Sequence, residues 1–219
     1  MIPIPKYSQA FEFENNFYLT SHPSRIGKFI IHYELYKKVK HLPGAIVECG
    51  IFKGASFIRF ASFVNLLEKG NREVIGFDIF GEFPKGKDKD DLMVLDNFLK
   101  AAGSKSIGED QLWEVLKRKN LDDKIQLIKG DINHTIPNFV QDNPHLQIAL
   151  INLDTDIYQP SLTVLEYLFP RLVPGGILVL DDYGIHSGET AAVDEYFKRQ
   201  HIDIHTFPYA ENPSYIIKK

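Results

Sequence analysis

Two short acidic runs hold most of the chemistry available to this sequence. They are Ile151-Asn152-Leu153-Asp154-Thr155-Asp156-Ile157-Tyr158 and Leu180-Asp181-Asp182-Tyr183-Gly184. Each closes an apolar run of strand length, so the acids fall at carboxyl ends of strands. If the two strands are neighbours, Asp154, Asp156, Asp181 and Asp182 meet at one rim of a sheet. Uncompensated carboxylates repel one another there, so their pKa values rise or a cation joins them. Oxygen donors alone suit Mg2+, Mn2+ or Ca2+, whereas zinc prefers His or Cys. Such a cation with open coordination positions can hold the paired hydroxyls of a substrate, and a spare carboxylate can take a proton. The plainer alternative is that each acidic pair caps the next helix or faces water.

A second constellation opens with Glu48-Cys49-Gly50-Ile51-Phe52-Lys53-Gly54-Ala55-Ser56. Glycines between a strand and a helix let the backbone turn tightly and approach a ligand with helix-start amides. The form is E-x-G-x-x-x-G rather than the dinucleotide fingerprint G-x-G-x-x-G. A leading carboxylate repels a pyrophosphate and attracts a sulfonium or ammonium group. The turn therefore suits a cationic nucleoside such as S-adenosylmethionine better than NAD. The next strand closes in Gly76-Phe77-Asp78, where a carboxylate can accept from ribose hydroxyls. Asp131, after Lys129-Gly130, lies beside the same crevice, where it can accept from an adenine amino group or cap the following helix.

Other reactive residues carry less. His186 stands alone in a polar stretch, and the eight histidines show no metal-ligand spacing. Ser56, Ser161 and Ser187 lack the G-x-S-x-G elbow of a hydrolase. Cys49 reads as a small core residue. Arg25 and Lys28 lie on an amphipathic segment and read as solvated, with a contact to a ligand carboxylate as the alternative.

The elements that must position these groups follow a simple rhythm. Short, β-branched apolar runs at 45–49, 73–77, 125–128, 147–153 and 176–180 predict parallel strands covered on both faces. Helical patterns at 56–67, 112–119, 133–140 and 160–169 lie between them, and another spans 25–40 behind a Ser24 cap. Alternating strands and helices predict a doubly wound α/β sheet. The runs 201–207 and 214–219 predict a closing antiparallel hairpin. Residues 1–20 read as an irregular arm, and 84–111 as a long charged insertion, either a solvated loop or a lid over the cleft.

Composition sets the frame. The 219 residues are 44% hydrophobic and 25% charged, with a formal net charge of -4. That length predicts a single domain over 1–219 with an ordinary buried core. The mild acidity offers no field for a polyanion, so nucleic-acid binding is not expected. One cysteine excludes an internal disulfide. No stretch of 18 apolar residues and no basic-then-apolar leader occurs, so a cytoplasmic location without membrane contact is expected.

The motifs LPGAIVECGIFKGAS, GFDIFGEFP, KGDINHTIP, ALINLDTDIYQPSLTVLEYLFPRLVPGGILVLDDYG and AAVDEYF resemble the macrocin O-methyltransferase-like family. Its members are metal-dependent class I S-adenosylmethionine methyltransferases, some acting on sugars of antibiotics. The resemblance covers roughly 25–200. It implies a Rossmann-like class I methyltransferase fold, with a mostly parallel seven-stranded sheet, helices on both faces and the C-terminal antiparallel hairpin. It implies that Glu48, Gly50, Gly54 and Ser56 line the methionine end of S-adenosylmethionine. Asp78 would hold the ribose and Asp131 would lie near the adenine. Asp154, Asp181 and Asp182 match the family's ligands for Mg2+ (or Mn2+), and Asp156 matches the proposed general base. The implied acceptor is a sugar, a glycosylated natural product or another small vicinal diol; a homo-oligomer is also expected. The segment Gly130–Pro137 lacks the family's aromatic pair, which bears on the adenine pocket, and Ile185–Gly188 replaces an aromatic-rich stretch. The N-terminal region is short, and since that region and the lid shape the acceptor pocket, the sugar specificity does not carry over. A catechol-type phenol methyltransferase, an NAD-dependent oxidoreductase and a non-catalytic nucleoside-binding protein are the alternatives.

Overall fold

The computed structural model describes residues 2–82, 100 and 102–219. Seven strands form one sheet in the order β3-β2-β1-β4-β5-β7-β6. They are β1 (Ala45–Cys49), β2 (Val74–Asp78), β3 (Ile125–Lys129), β4 (Ile148–Leu153), β5 (Leu172–Leu180), β6 (His205–Phe207) and β7 (Ala210–Ile217). The first five run parallel, while β7 pairs antiparallel with both β5 and β6. The chain winds outward from β1 to β2 and β3, then returns to lay β4 on the other side of β1. That reversal opens a crevice at the carboxyl ends of β1 and β4, the place where open α/β sheets bind ligands.

Period-two alternation divides the strands between two cores. Ile46, Leu150, Ile177 and Val179 face α2 (Pro23–Val39), α3 (Ala55–Glu68) and α4 (Glu109–Arg118). Val47, Cys49, Ile151, Leu153, Leu178 and Leu180 face α5 (Ile132–Asp142), α6 (Tyr158–Tyr167) and α7 (Ser187–Phe197). With helices over both faces the strands have no polar side, which is why they read as continuous apolar runs.

Four elements differ from the sequence reading, and one of them is helix α7, which no predicted helical pattern covers. The Pro174-Gly175-Gly176 segment lies inside β5, where the register against β4 shifts; Gly175 has φ +81, a bulge geometry. Residues Ala10–Thr20 form a helix, α1, with none of its residues buried. Its side chains show no helical stripe because it has no core face to serve. In α2, Pro23 takes the first turn and the His22 side chain accepts from Ser24 N, so the cap falls earlier than Ser24. Most of the insertion predicted at 84–111 lies outside the described residues. Among the described residues, no helix is long and apolar enough to cross a membrane.

Gly50 pins β1 to β4. It has φ +89, and a Cβ there would sit 1.7 Å from the Asp154 carbonyl oxygen, within backbone that cannot yield. Gly50→Ala is expected to destabilise the protein by about 3 kcal/mol or more in urea unfolding. Gly70→Ala, at φ +72 where a Cβ would meet only the Asp123 side chain, at an ordinary 3.9 Å, is the control and should lose only about 1–2 kcal/mol from backbone strain.

Candidate active site

The same alternation that builds the core delivers polar groups to the crevice. Glu48 follows Ile46 on the α2/α3 side of β1 and pairs in register with Asn152 of β4. Asp181 extends the Ile177 and Val179 face of β5 by one more step. Glu48, Asn152 and Asp181 are all buried. The Glu48 Oε2, Asp181 Oδ1 and both Asn152 side-chain polar atoms have no hydrogen-bond partner. Such orphaned atoms are rare in native proteins and mark a place built for a ligand, ion or ordered water.

Carboxylate oxygens of Asp154, Asp181 and Asp182 all lie within 4.8 Å of one another. Desolvation, then the charge of Asp181, pushes the Asp154 carboxyl well above the usual range. The same two causes raise Asp182 to about 8. Asp181 stays low: burial opposes ionisation, but the charge and hydrogen bond of the Lys28 ammonium outweigh it. Lys28 donates to Asp181 Oδ2 from the facing side of α2. His32, one turn further on, lies 3.9 Å from Asp181 Oδ1. Burial holds its imidazole neutral, with a pKa of about 3. Its ring stacks on Phe60, and its Nδ1 lies 3.0 Å from the Arg59 guanidinium.

Asp156 follows in a left-handed turn at φ +62, a conformation Asp tolerates and β-branched residues do not. Its Oδ1 lies 3.5 Å from His186 Nε2. His186 is the cap residue of α7 rather than part of a loose loop. Asp156, Asp182 and His186 form a second cluster with ligand-like spacing. Beneath them, the fully buried Glu189 accepts the Asp182 backbone N–H at 3.1 Å. Its carboxyl is raised well above the usual range by burial and the nearby aspartates.

The glycine turn is braced from β2. Asp78 Oδ2 accepts the Ile51 and Phe52 amides at 2.8 and 3.0 Å. Its Oδ1 accepts the Phe80 amide at 2.6 Å and the Ser106 hydroxyl at 3.1 Å. Gly54, at φ +84, starts α3, and Ser56 in its first turn donates to Glu48 Oε1 at 2.8 Å. Asp131 caps α5 through the Asn133 amide at 2.9 Å. The structure thus gathers Glu48, Ser56, Asp154, Asp156, Asp181 and Asp182 around one crevice. Asp78 sits behind the glycine turn, and Asp131 stands at the β3 end.

Lys28, His32, Arg59, Asn152 and Glu189 complete the polar surroundings. The sequence alone favours a solvated Lys28 over a contact to a ligand carboxylate and does not distinguish the other four. The four-residue spacing of Lys28 and His32, on the face that carries Ile31 and Leu35, is the one signal that marked them.

A family model for macrocin O-methyltransferase (TylF) matches residues 34–207. The chain belongs to the macrocin O-methyltransferase family. It is 29% identical over 165 residues to mycinamicin III 3''-O-methyltransferase of Micromonospora griseorubida. It is 30% identical over 155 residues to a Streptomyces olivaceus enzyme, 8-demethyl-8-(2,3-dimethoxy-alpha-L-rhamnosyl)-tetracenomycin-C 4'-O-methyltransferase. These alignments take in 74% and 70% of the chain but span only 63% and 58% of the two relatives. The solved calicheamicin methyltransferase CalS11 superposes with a TM-score of 0.78 at 28% identity, covering 99% of this chain and 86% of that one. The O-methyltransferase NovP shares the fold at 20% identity and a TM-score of 0.74, over 87% of this chain and 79% of that one. These likenesses make the sheet and its C-terminal antiparallel strands a class I methyltransferase fold.

The residues present fit the groups this family implies. The Asp154, Asp181 and Asp182 oxygens are hard donors, close enough to share one octahedral ion, and Asp181 Oδ1 is unpartnered. Glu48 Oε2, likewise unpartnered and beside the glycine turn, suits a cationic cofactor.

Burial raises the Glu48 carboxyl from 4.5 to about 8, partly offset by the Ser56 hydrogen bond. A folded-state pKa above the unfolded value means the native chain holds a proton that the unfolded chain has lost. Stability is therefore lost as pH rises between those two values. Glu48→Gln keeps the acceptor for Ser56 and removes the ionisation. Its melting temperature without ligands should match the parent near pH 4.5 and exceed it increasingly toward pH 8. The gap should widen by about 1.4 kcal/mol per pH unit, checked by denaturant unfolding across that range. A gap that stays flat with pH would mean Glu48 is not held protonated.

Proposed function

We propose that residues 1–219 act as one S-adenosylmethionine-dependent O-methyltransferase domain with Mg2+ or Mn2+ at Asp154, Asp181 and Asp182. The acceptor is a sugar hydroxyl with a hydroxyl neighbour, free or on a glycosylated natural product. The observation that carries this reading is the convergence of those aspartates at the carboxyl ends of β4 and β5, on the β4 side of the glycine turn. The printed activities of the mycinamicin and tetracenomycin relatives support a sugar acceptor.

Each residue has a task in that reaction. Glu48, Gly50, Gly54 and Ser56 hold the methionine end, with the Glu48 carboxylate attracted to the sulfonium. Asp78 keeps the glycine turn in shape at the ribose end, and Asp131 stands toward the adenine. Asp154, Asp181 and Asp182 would hold a divalent ion, which would supply Lewis acidity to lower the pKa of the acceptor hydroxyl. Asp156 takes the hydroxyl proton as the oxygen attacks the methyl carbon in line. The new C–O bond forms as the C–S bond breaks, and S-adenosylhomocysteine leaves. Most of the acceleration then comes from positioning and charge stabilisation. The chain works as a cytoplasmic homo-oligomer; the exposed Phe11 and Leu19 of α1, at 79% and 82%, support self-association.

The test is methyl transfer from labelled S-adenosylmethionine to thymidine-diphosphate deoxysugars, rhamnosylated aglycones and a catechol, with EDTA or Mg2+. Transfer to a sugar that stops in EDTA and returns with Mg2+ is expected. Asp156→Asn should lower kcat by about 10²–10⁴-fold while cofactor binding by calorimetry stays unchanged. Undiminished transfer in EDTA removes the metal, and transfer to the catechol alone removes the sugar.

A further inference from the structure

Lys28 enters the acidic pocket from α2 with its side chain 19% exposed, against 3% for Asp181, to which its ammonium is bonded. A lysine is rarely buried unless paired. Gly27 is buried where α2 packs on β7, and a Cβ there would make an ordinary contact with the Ala210 side chain at 3.6 Å. The docked helix points Lys28 at the ends of β4 and β5. The charges facing it are Asp154, Asp181 and Asp182 from those strand ends. Among the described residues, the other cations nearby are engaged elsewhere or turned outward. Arg59 sits on His32 Nδ1 and over the Phe29 ring, and Arg25 is exposed.

We infer that Lys28 is the built-in counter-cation of the metal pocket: a positioning residue that holds Asp181 and sets the affinity for the divalent ion. This rests on the metal reading above. The ammonium bonds Oδ2 of Asp181 and leaves Oδ1 without a hydrogen bond, with His32 Nε2 3.9 Å away. One carboxylate thereby carries a lysine and can serve an ion as well. The ammonium stabilises the pocket without metal by lowering its net negative charge. For the same reason it repels an incoming cation. Removing the charge therefore has two linked effects: the metal-free protein weakens and the metal binds more tightly. A purely structural ion pair has only the first effect.

The experiment measures Mn2+ alone, by electron paramagnetic resonance titration of the purified chain without cofactor or acceptor, alongside melting in EDTA and in Mn2+. Lys28→Met is expected to lower the Mn2+ dissociation constant by about tenfold or more, the scale of a unit charge acting on a nearby divalent ion even in water. Its melting temperature should fall in EDTA and recover in Mn2+. Lys28→Arg, which keeps the charge, should bind Mn2+ within about threefold of the parent, a difference under 1 kcal/mol. If Lys28→Met proves insoluble in both conditions, Lys28→Gln takes its place with the same expectations. Equal or weaker Mn2+ binding by the neutral variants overturns the role of Lys28 and leaves the metal reading standing. Failure of both parent and variants to bind Mn2+ overturns the two together.

Discussion

Negative charge held out of water is the constraint around which this molecule is arranged. The crevice between β1 and β4 collects Glu48, Asp154, Asp181 and Asp182 where solvent is scarce, and each ion there must find a counter-charge, a proton or a hydrogen bond. The solutions differ from group to group. Asp181 keeps its charge because Lys28 reaches it. Glu48 takes the Ser56 hydroxyl, and burial raises its pKa. Glu189 accepts a backbone amide while its other oxygen stays unpartnered. The packing of α2 and α3 is subordinate to this arrangement, since they bring Lys28, His32, Ser56 and Arg59 to the crevice as well as sealing the core.

The two sides of the sheet divide the labour. The α2/α3 side carries the polar pocket over Glu48, Asn152 and Asp181. The α5/α6/α7 side is apolar apart from groups such as Glu189, which reaches back to the Asp182 backbone. Strand alternation alone separates them: Glu48 and Val47 are neighbours in sequence but serve opposite faces. A one-residue slip of β1 would exchange the carboxylate for an apolar side chain. The register against β2 and β4 therefore fixes the chemistry as firmly as it fixes the core.

How much of this the chain announced in advance depended on how local the cause was. Strand ends were legible because the apolar runs stop at charged residues, so Asp78, Asp154 and Asp181 could be placed at a rim before any contact was known. The start of β5 was not, because Pro174-Gly175-Gly176 has the composition of a turn and only pairing with β4 and β7 makes it a bulged strand. Helix α1 escaped notice for want of a buried stripe. Lys28 and His32 share a helix face in any reading, but whether that face overlies the strand ends is decided by docking. Glu189 lies in the first turn of α7, a helix the sequence reading does not predict, and its complete burial is set by tertiary packing.

The fourfold grip of Asp78 on the Ile51, Phe52 and Phe80 amides and the Ser106 hydroxyl has a thermodynamic corollary. Backbone that is already ordered has little conformational entropy left to surrender when a ligand arrives. A turn frozen in this way gives its affinity up front and cannot mould itself to a poor fit. Selection among nucleosides then falls to the fixed outline of the turn.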